Sequence, residues 1–321
     1  MGSRIRLQAM KDYAFGIDIG GTTVKIGFFE TSGTLVKSWE IPTRTEENGK
    51  YILSDIAAAI DQEISERGLS KNDIEGIGID VPGPVLEDRI VNRCVHLGWG
   101  VFDVAEEMKK LTGIEKIGVA NDANAATLGE MWQGGGKGHQ ELVMLTLGTG
   151  VGGGVIHQGR ILSGVFGCAG EFGHICTNKA ETRACGCGKY GHLEQYASAT
   201  GIAQVARDML EASDKPSLLR DFPDFTAKEV FDCAKSGDEL ALEIVDKAGD
   251  ELGYICSVIS CVFDPEIYVF GGGVSKAGDI LIDTIRKHFK KYAFHACENA
   301  EFALASLGND AGMYGAVKMV L

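Results

Sequence analysis

Two segments of this chain repeat one arrangement: an apolar run, a turn of glycine and threonine, and a returning run. Tyr13–Asp18 leads into Gly20, Gly21, Thr22 and Thr23, and Val24–Glu30 returns. Leu142–Leu147 leads into Gly148, Thr149, Gly150, Val151, Gly152, Gly153 and Gly154, and Val155–His157 returns. Short apolar runs bounded by turn residues read as buried strands, so each segment is a strand–turn–strand unit. A third glycine triplet, Gly271–Gly273, ends the apolar run Ile267–Phe270. The chain carries 44 glycines in 321 residues, about twice ordinary usage, and their clustering marks tight turns or close backbone approach to a ligand.

A turn of this kind exposes consecutive backbone N–H groups with no Cβ in the way, which suits a phosphate, and the threonine hydroxyl adds a donor. The candidate phosphate-binding positions are therefore Gly20, Gly21, Thr22, Thr23, Gly148, Thr149, Gly150, Gly152, Gly272 and Gly273. Asp18 would bring a carboxylate beside phosphates, which makes sense with Mg²⁺ between them. Lys25 either adds positive charge there or lies on a solvent-facing strand edge. The glycine–lysine loop of P-loop nucleotidases is absent, and no Gly-x-Gly-x-x-Gly follows the first strand, so a Walker-type or Rossmann site is not expected.

The net charge of −14 argues against nucleic-acid or anionic-membrane partners, which need a basic patch. No apolar run approaches the roughly 20 residues that span a bilayer. Residues 1–10 lack the apolar core of a secretory signal, so a cytoplasmic location is expected. Nine cysteines are then reduced thiols or metal ligands. Cys94, Cys233, Cys256, Cys261 and Cys297 read as small core residues.

Helical spacing marks residues 52–67, 104–112, 123–132, 199–212, 227–236, 239–263 and 311–320. Strands alternating with helices around the two repeats indicate two α/β domains. The expected division is an N-terminal lobe at 1–120, a C-terminal lobe at 121–307, and a last helix at about 308–321 packing back onto the first. Glycines 134–136 and 138 interrupt 122–141, a candidate hinge.

Asn121 and Asp122 follow the strand at 117–120. An aspartate there is a candidate general base, because a hydroxyl nucleophile needs a carboxylate within hydrogen-bond reach. It is equally a favoured helix N-cap. Asn121 offers a donor and an acceptor to a neighbouring hydroxyl. The block from Gly170 to Glu194 holds His174, Cys185, Cys187 and His192 within nineteen residues, enough for a tetrahedral Zn²⁺ site. A chelated loop would hold Glu171 and Glu194 facing a common site, and binding metal through one nitrogen leaves the other nitrogen of His174 for a ligand.

The ordered set of turns resembles the actin-like ATPases, which carry two phosphate loops and an adenosine loop on two duplicated domains. More narrowly, the chain resembles the ROK family (named for repressors, open reading frames and kinases) from Tyr13 to about Gly315. The resemblance rests on Asp18–Thr23, Val81–Gly83, Asn121–Ala125, Leu147–Gly150, Gly170–His174 and the Cys185–Glu194 run. It implies a two-domain, ribonuclease H-like fold with a cleft between lobes, and ATP-dependent phosphorylation of a hexose with Mg²⁺ and structural Zn²⁺. Carried over by position, Asp122 is the base for the sugar 6-hydroxyl, while Asn121, Glu171, His174 and Glu194 bind ring hydroxyls and Gly83 approaches by its backbone.

Family members commonly have a third cysteine where this chain has His192, so either His192 or nearby Cys176 completes the zinc set. His96–Trp99 also departs from the common asparagine-led version of that segment, which lies near the sugar in the family. Glu171 with His174 resembles glucose-type members, and Gln195–Gly201 is similar to bacterial glucokinases. N-acetylmannosamine, N-acetylglucosamine, allose and fructose are the alternative sugars. Regulator members carry a DNA-binding helix-turn-helix before the first turn, where this chain has only residues 1–14, so a regulator lacking that domain is the remote alternative. The resemblance further implies a homo-oligomer, dimer or tetramer.

Overall fold

The computed structural model describes residues 10–321; residues 1–9 lie outside them. The chain divides into two compact units. Unit 1 comprises residues up to Gln133, Ser163–Cys168 and Asn309–Leu321; unit 2 comprises Gly134–Leu162 and Ala169–Gly308.

In unit 1, strands β1 (Tyr13–Ile19), β2 (Thr23–Glu30), β3 (Leu35–Pro42), β4 (Ile74–Val81) and β8 (Ile117–Asn121) form a sheet ordered β3-β2-β1-β4-β8. The β1–β2–β3 meander is antiparallel, and β4 and β8 add in parallel beside β1. A smaller antiparallel sheet comprises β5 (Val85–Leu86), β6 (Ile90–Cys94) and β7 (Trp99–Asp103). In unit 2, β9 (Leu142–Leu147), β10 (Val151–His157), β11 (Arg160–Ile161), β12 (Ile267–Gly271) and β13 (Glu301–Leu304) are ordered β11-β10-β9-β12-β13. There too the first hairpin is antiparallel, with β12 and β13 added in parallel. The sequence repeat is thus a repeat of sheet topology.

Each sheet buries helices on its faces. The helix Ile52–Glu66 places Ile52, Ile56 and Ile60 against Phe15, Ile17, Phe28 and Ile79. On the opposite face the C-terminal helix Ala311–Met319 packs Met313 and Val317 on Ala14 and Phe29. Gly78 permits that contact: a Cβ there would collide with the Ala316 backbone. In unit 2 the 25-residue helix Glu239–Phe263 and the helix Asp279–Tyr292 cover Tyr268 and Phe270. The Tyr268 hydroxyl donates to the Cys256 carbonyl at 2.7 Å, meeting the partner requirement of a buried phenol.

The boundary between units lies at 133/134 rather than the expected 120/121. The helix Asp122–Gln133 stays with unit 1 because it lies against the C-terminal helix, so close that a Cβ on Gly129 would strike the Ala311 carbonyl and one on Gly315 the Ala125 carbonyl. Cys94, Cys233 and Cys256 are buried as expected, but Cys261 is exposed because the helix Glu239–Phe263 turns only one stripe inward, and Cys297 is half-buried in the turn after the helix Asp279–Tyr292. The expected helices at 52–67, 199–212, 227–236 and 311–320 end within a residue or so of Ile52–Glu66, Ala199–Glu211, Ala227–Lys235 and Ala311–Met319.

Candidate active site

In unit 1 the site residues stand at the ends of three neighbouring parallel strands. Asp18 and Asp80 are in register across β1 and β4, and Val81 and Asn121 across β4 and β8. Asp122 follows as the first residue of the helix Asp122–Gln133. Asn121 accepts from the Ala123 backbone N–H at 3.0 Å and donates to the Gly83 carbonyl at 3.3 Å. The capping role open to Asp122 is therefore taken in large part by Asn121, whose oxygen satisfies an otherwise orphaned helix donor. Asp122 itself accepts from the same Ala123 N–H at 2.8 Å. Asp122 stays exposed, yet desolvation by the surrounding protein raises its pKa; that backbone bond lowers it, the charge of Asp18 raises it further, and the Asn121 side chain lowers it. A carboxylate with a raised pKa at a strand end is suited to taking a proton. Because its oxygen caps the helix and its amide holds Gly83, Asn121 contributes to the site first by fixing Gly83 and Asp122.

Asp80 escaped the sequence reading. It is fully buried, and its carboxylate oxygens meet no hydrogen-bond partner other than the neighbouring Asp18 carboxylate. Burial pushes its pKa well above the usual carboxylate range, with the charges of Asp18 and Asp122 adding to the effect. Asp18 is raised as well, chiefly by burial. The available signal was an acid near the end of the apolar run Ile74–Val81, next to the Pro82-Gly83 turn.

The first glycine turn is closed by the Gly20 N–H to the Thr23 carbonyl at 2.9 Å and by the Thr43 hydroxyl to the Gly20 carbonyl at 2.7 Å. Gly21, Thr22 and Thr23 are exposed, and a Cβ on Gly21 would meet nothing within 4 Å. Lys25 bonds Asp310 at 2.8 Å and the Asn309 carbonyl at 3.1 Å. Neither a bare strand edge nor a free cation describes it.

In unit 2 the second turn is narrower than the sequence suggested. The Gly148 N–H bonds the Gly150 carbonyl at 3.0 Å, and β10 begins at Val151. Gly152, Gly153 and Gly154 pair with Thr146, Leu145 and Met144 inside the sheet. A Cβ on Gly153 would lie 2.6 Å from the Phe172 ring, so this glycine admits the segment carrying Glu171 and His174. The turn is anchored from the helix Ala199–Glu211: the Ala199 N–H bonds the Gly148 carbonyl at 2.8 Å and the Thr200 hydroxyl bonds the Thr149 carbonyl at 2.5 Å.

Gly272 has φ +82°, and its missing Cβ leaves room for the Leu147 backbone. Beyond it a cavity of about 330 Å³ is lined by Gly273, Val274, Lys276, Ala277, Thr226, Ala227 and Phe231 among others. The helix Ala227–Lys235, which supplies one wall, was legible as a helix but not as a pocket. A larger opening in unit 1, about 410 Å³ around Asn48, Lys50 and Trp99, includes none of the expected site residues. Trp99 is buried there with its indole N–H on the Gly49 carbonyl at 3.1 Å, while His96 is exposed.

The knuckle gathers His174, Cys185, Cys187 and His192, with one ligand atom of each within 4.8 Å of the others. The sulfurs of Cys185 and Cys187 are 3.4 Å apart, Cys187 Sγ and His192 Nδ1 3.4 Å, and the two Nδ1 atoms 3.3 Å. Zn–N bonds of 2.0–2.1 Å and Zn–S bonds of 2.3 Å give tetrahedral edges of about 3.3–3.8 Å, so the donor set and its spacing fit the ion. Cys176 is exposed and pairs with His192 only through the backbone; it is not among the residues gathered. His174 Nε2 lies 4.0 Å from Glu171. Glu194 accepts from Cys185 Sγ at 2.8 Å, and its other oxygen lies 2.9 Å from where a Gly150 Cβ would be. Burial and Glu194 push the Cys185 thiol up to about 11.

The ROK family profile matches residues 14–321. A protein named glucokinase from Halalkalibacterium halodurans is 43% identical over 94% of this chain and 92% of its own length. One of the same name from Thermotoga maritima is 35% identical over 95% and 96%. Among solved structures, a ROK family glucokinase from Streptomyces griseus in complex with glucose and AMPPNP is 31% identical, with a TM-score of 0.70 over 96% of this chain and 98% of that one. With its duplicated sheet, its strand-end turns and its Cys/His knuckle, this chain belongs to the ROK family.

Proposed function

We propose that the protein is a glucokinase, transferring the terminal phosphoryl group of ATP to the 6-hydroxyl of glucose. The observation that carries the reading is the placement of Asp122: solvent-accessible just past a strand end, raised in pKa, and with the N-cap position of its helix taken by Asn121. Relatives and neighbours named for glucose phosphorylation match over nearly the whole chain.

Unit 1 supplies the base and the first turn. Asp122 accepts the hydroxyl proton as the oxygen attacks the phosphorus, and the backbone donors of Gly20–Thr23 bind phosphate oxygens. Asp18 fits a divalent cation, since burial leaves its charge in need of a counter-ion. Mg²⁺, when bound, neutralises the charge developing on the phosphates. Unit 2 supplies the second turn at Gly148–Gly150 and, beside Gly273 and Phe231, a pocket whose apolar wall suits adenine.

Glu171, His174 and Glu194 fit a polyol, because carboxylates and a fixed imidazole accept or donate to several hydroxyls at once. His174, Cys185, Cys187 and His192 would hold Zn²⁺, which supplies rigidity to a loop with little core of its own. Coupling the reaction of glucose and ATP to glucose-6-phosphate dehydrogenase tests the reading. NADPH formation dependent on both substrates supports it, and ADP release without a 6-phosphate product refutes it.

A further inference from the structure

We propose that Asp80 is a second carboxylate ligand for the divalent cation that Asp18 holds beside the nucleotide. The proposal deepens the phosphoryl-transfer reading and rests on it for the use of a cation. Asp18 and Asp80 are in register on adjacent parallel strands, so their side chains leave the sheet on the same face at the same level. Both converge on one spot: a Cβ on Gly312 would lie 2.8 Å from Asp80 Oδ2 and 3.5 Å from Asp18 Cγ. Glycine at 312 keeps that spot open.

Asp80 is fully buried, and its oxygens have no hydrogen-bond partner beyond the Asp18 carboxylate beside them. Buried polar groups are otherwise almost always satisfied, and an exception calls for a reason such as an ion. Among the described residues no ion pair reaches Asp18 or Asp80, and the cross-strand partner of Asp18, Lys25, is bonded to Asp310 and Asn309. Two carboxylates without a basic partner form an oxygen donor set of the kind hard divalent cations take. With two such ligands on unit 1, the cation has a protein site before nucleotide arrives.

The test is a titration of nucleotide-free protein with Mn²⁺, following free Mn²⁺ by electron paramagnetic resonance at pH 8. Wild-type protein is expected to bind Mn²⁺ without nucleotide. Asp80→Asn, nearly isosteric, should weaken that binding about tenfold or more, the scale on which metal sites respond to loss of a supporting carboxylate. Asp80→Ser provides a second variant should the amide pack poorly. Unchanged Mn²⁺ affinity in either folded variant overturns the proposal, as does a wild-type protein that binds no Mn²⁺ without nucleotide. A wild-type protein inactive on every hexose would refute the functional reading, whereas this inference is decided by the titration alone.

Discussion

The side-chain oxygen of Asn121 accepts the backbone N–H of Ala123 at 3.0 Å. That bond caps the helix Asp122–Gln133, whose first residue, Asp122, shares the same N–H at 2.8 Å and keeps an exposed carboxylate able to serve as a base. Asp122→Asn keeps the size and the bond to Ala123 but cannot take a proton. It should lower kcat by about 10²-fold or more, with glucose affinity by calorimetry largely unchanged. Turnover close to wild type would remove Asp122 from the role.

The metal knuckle makes a separate prediction. Protein purified without chelator should contain about one zinc per chain. His192→Ala and Cys185→Ser should lose most of it and raise the KM for glucose, while Cys176→Ser should retain it. Zinc lost from Cys176→Ser and kept in His192→Ala would reverse the ligand assignment.

The acids of unit 1 carry a cost that depends on pH. The folded-state pKa of Asp80 is raised by burial. Its contribution to stability is therefore fully present below the ordinary carboxylate pKa and is lost as pH rises toward the folded value. In magnesium-free buffer at pH 7, Asp80→Asn should raise Tm by at least about 2 °C, and the gain should vanish near pH 4. A variant less stable than wild type at pH 7 would contradict a raised folded-state pKa for Asp80.

The duplicated strand–turn–strand segments, the long helix Glu239–Phe263 and the Cys/His knuckle were legible because each depends on local pattern: period, turn chemistry or ligand spacing. What was not legible depends on contacts distant in sequence. Gly152–Gly154 read as part of a phosphate turn, yet they pair within β10, because packing of Phe172 on Gly153 requires glycine there. Asp80 passed as part of a buried strand because only its register with Asp18 gives it meaning. The cavity at Gly273 and Phe231 joins a turn to a helix about forty residues earlier, which periodicity does not report. The unit boundary shifted for the same reason, through the packing of the helix Asp122–Gln133 on the C-terminal helix.

The central claim is glucose phosphorylation, and kcat/KM across a sugar panel tests it most directly. ADP release should be measured with glucose, mannose, fructose, allose, N-acetylglucosamine and N-acetylmannosamine at saturating ATP. The account predicts the highest kcat/KM for glucose, by about tenfold or more over each alternative, since a hydroxyl that the site is built to bond cannot be lost or displaced cheaply. A higher value for an N-acetylhexosamine, or for fructose, would contradict it.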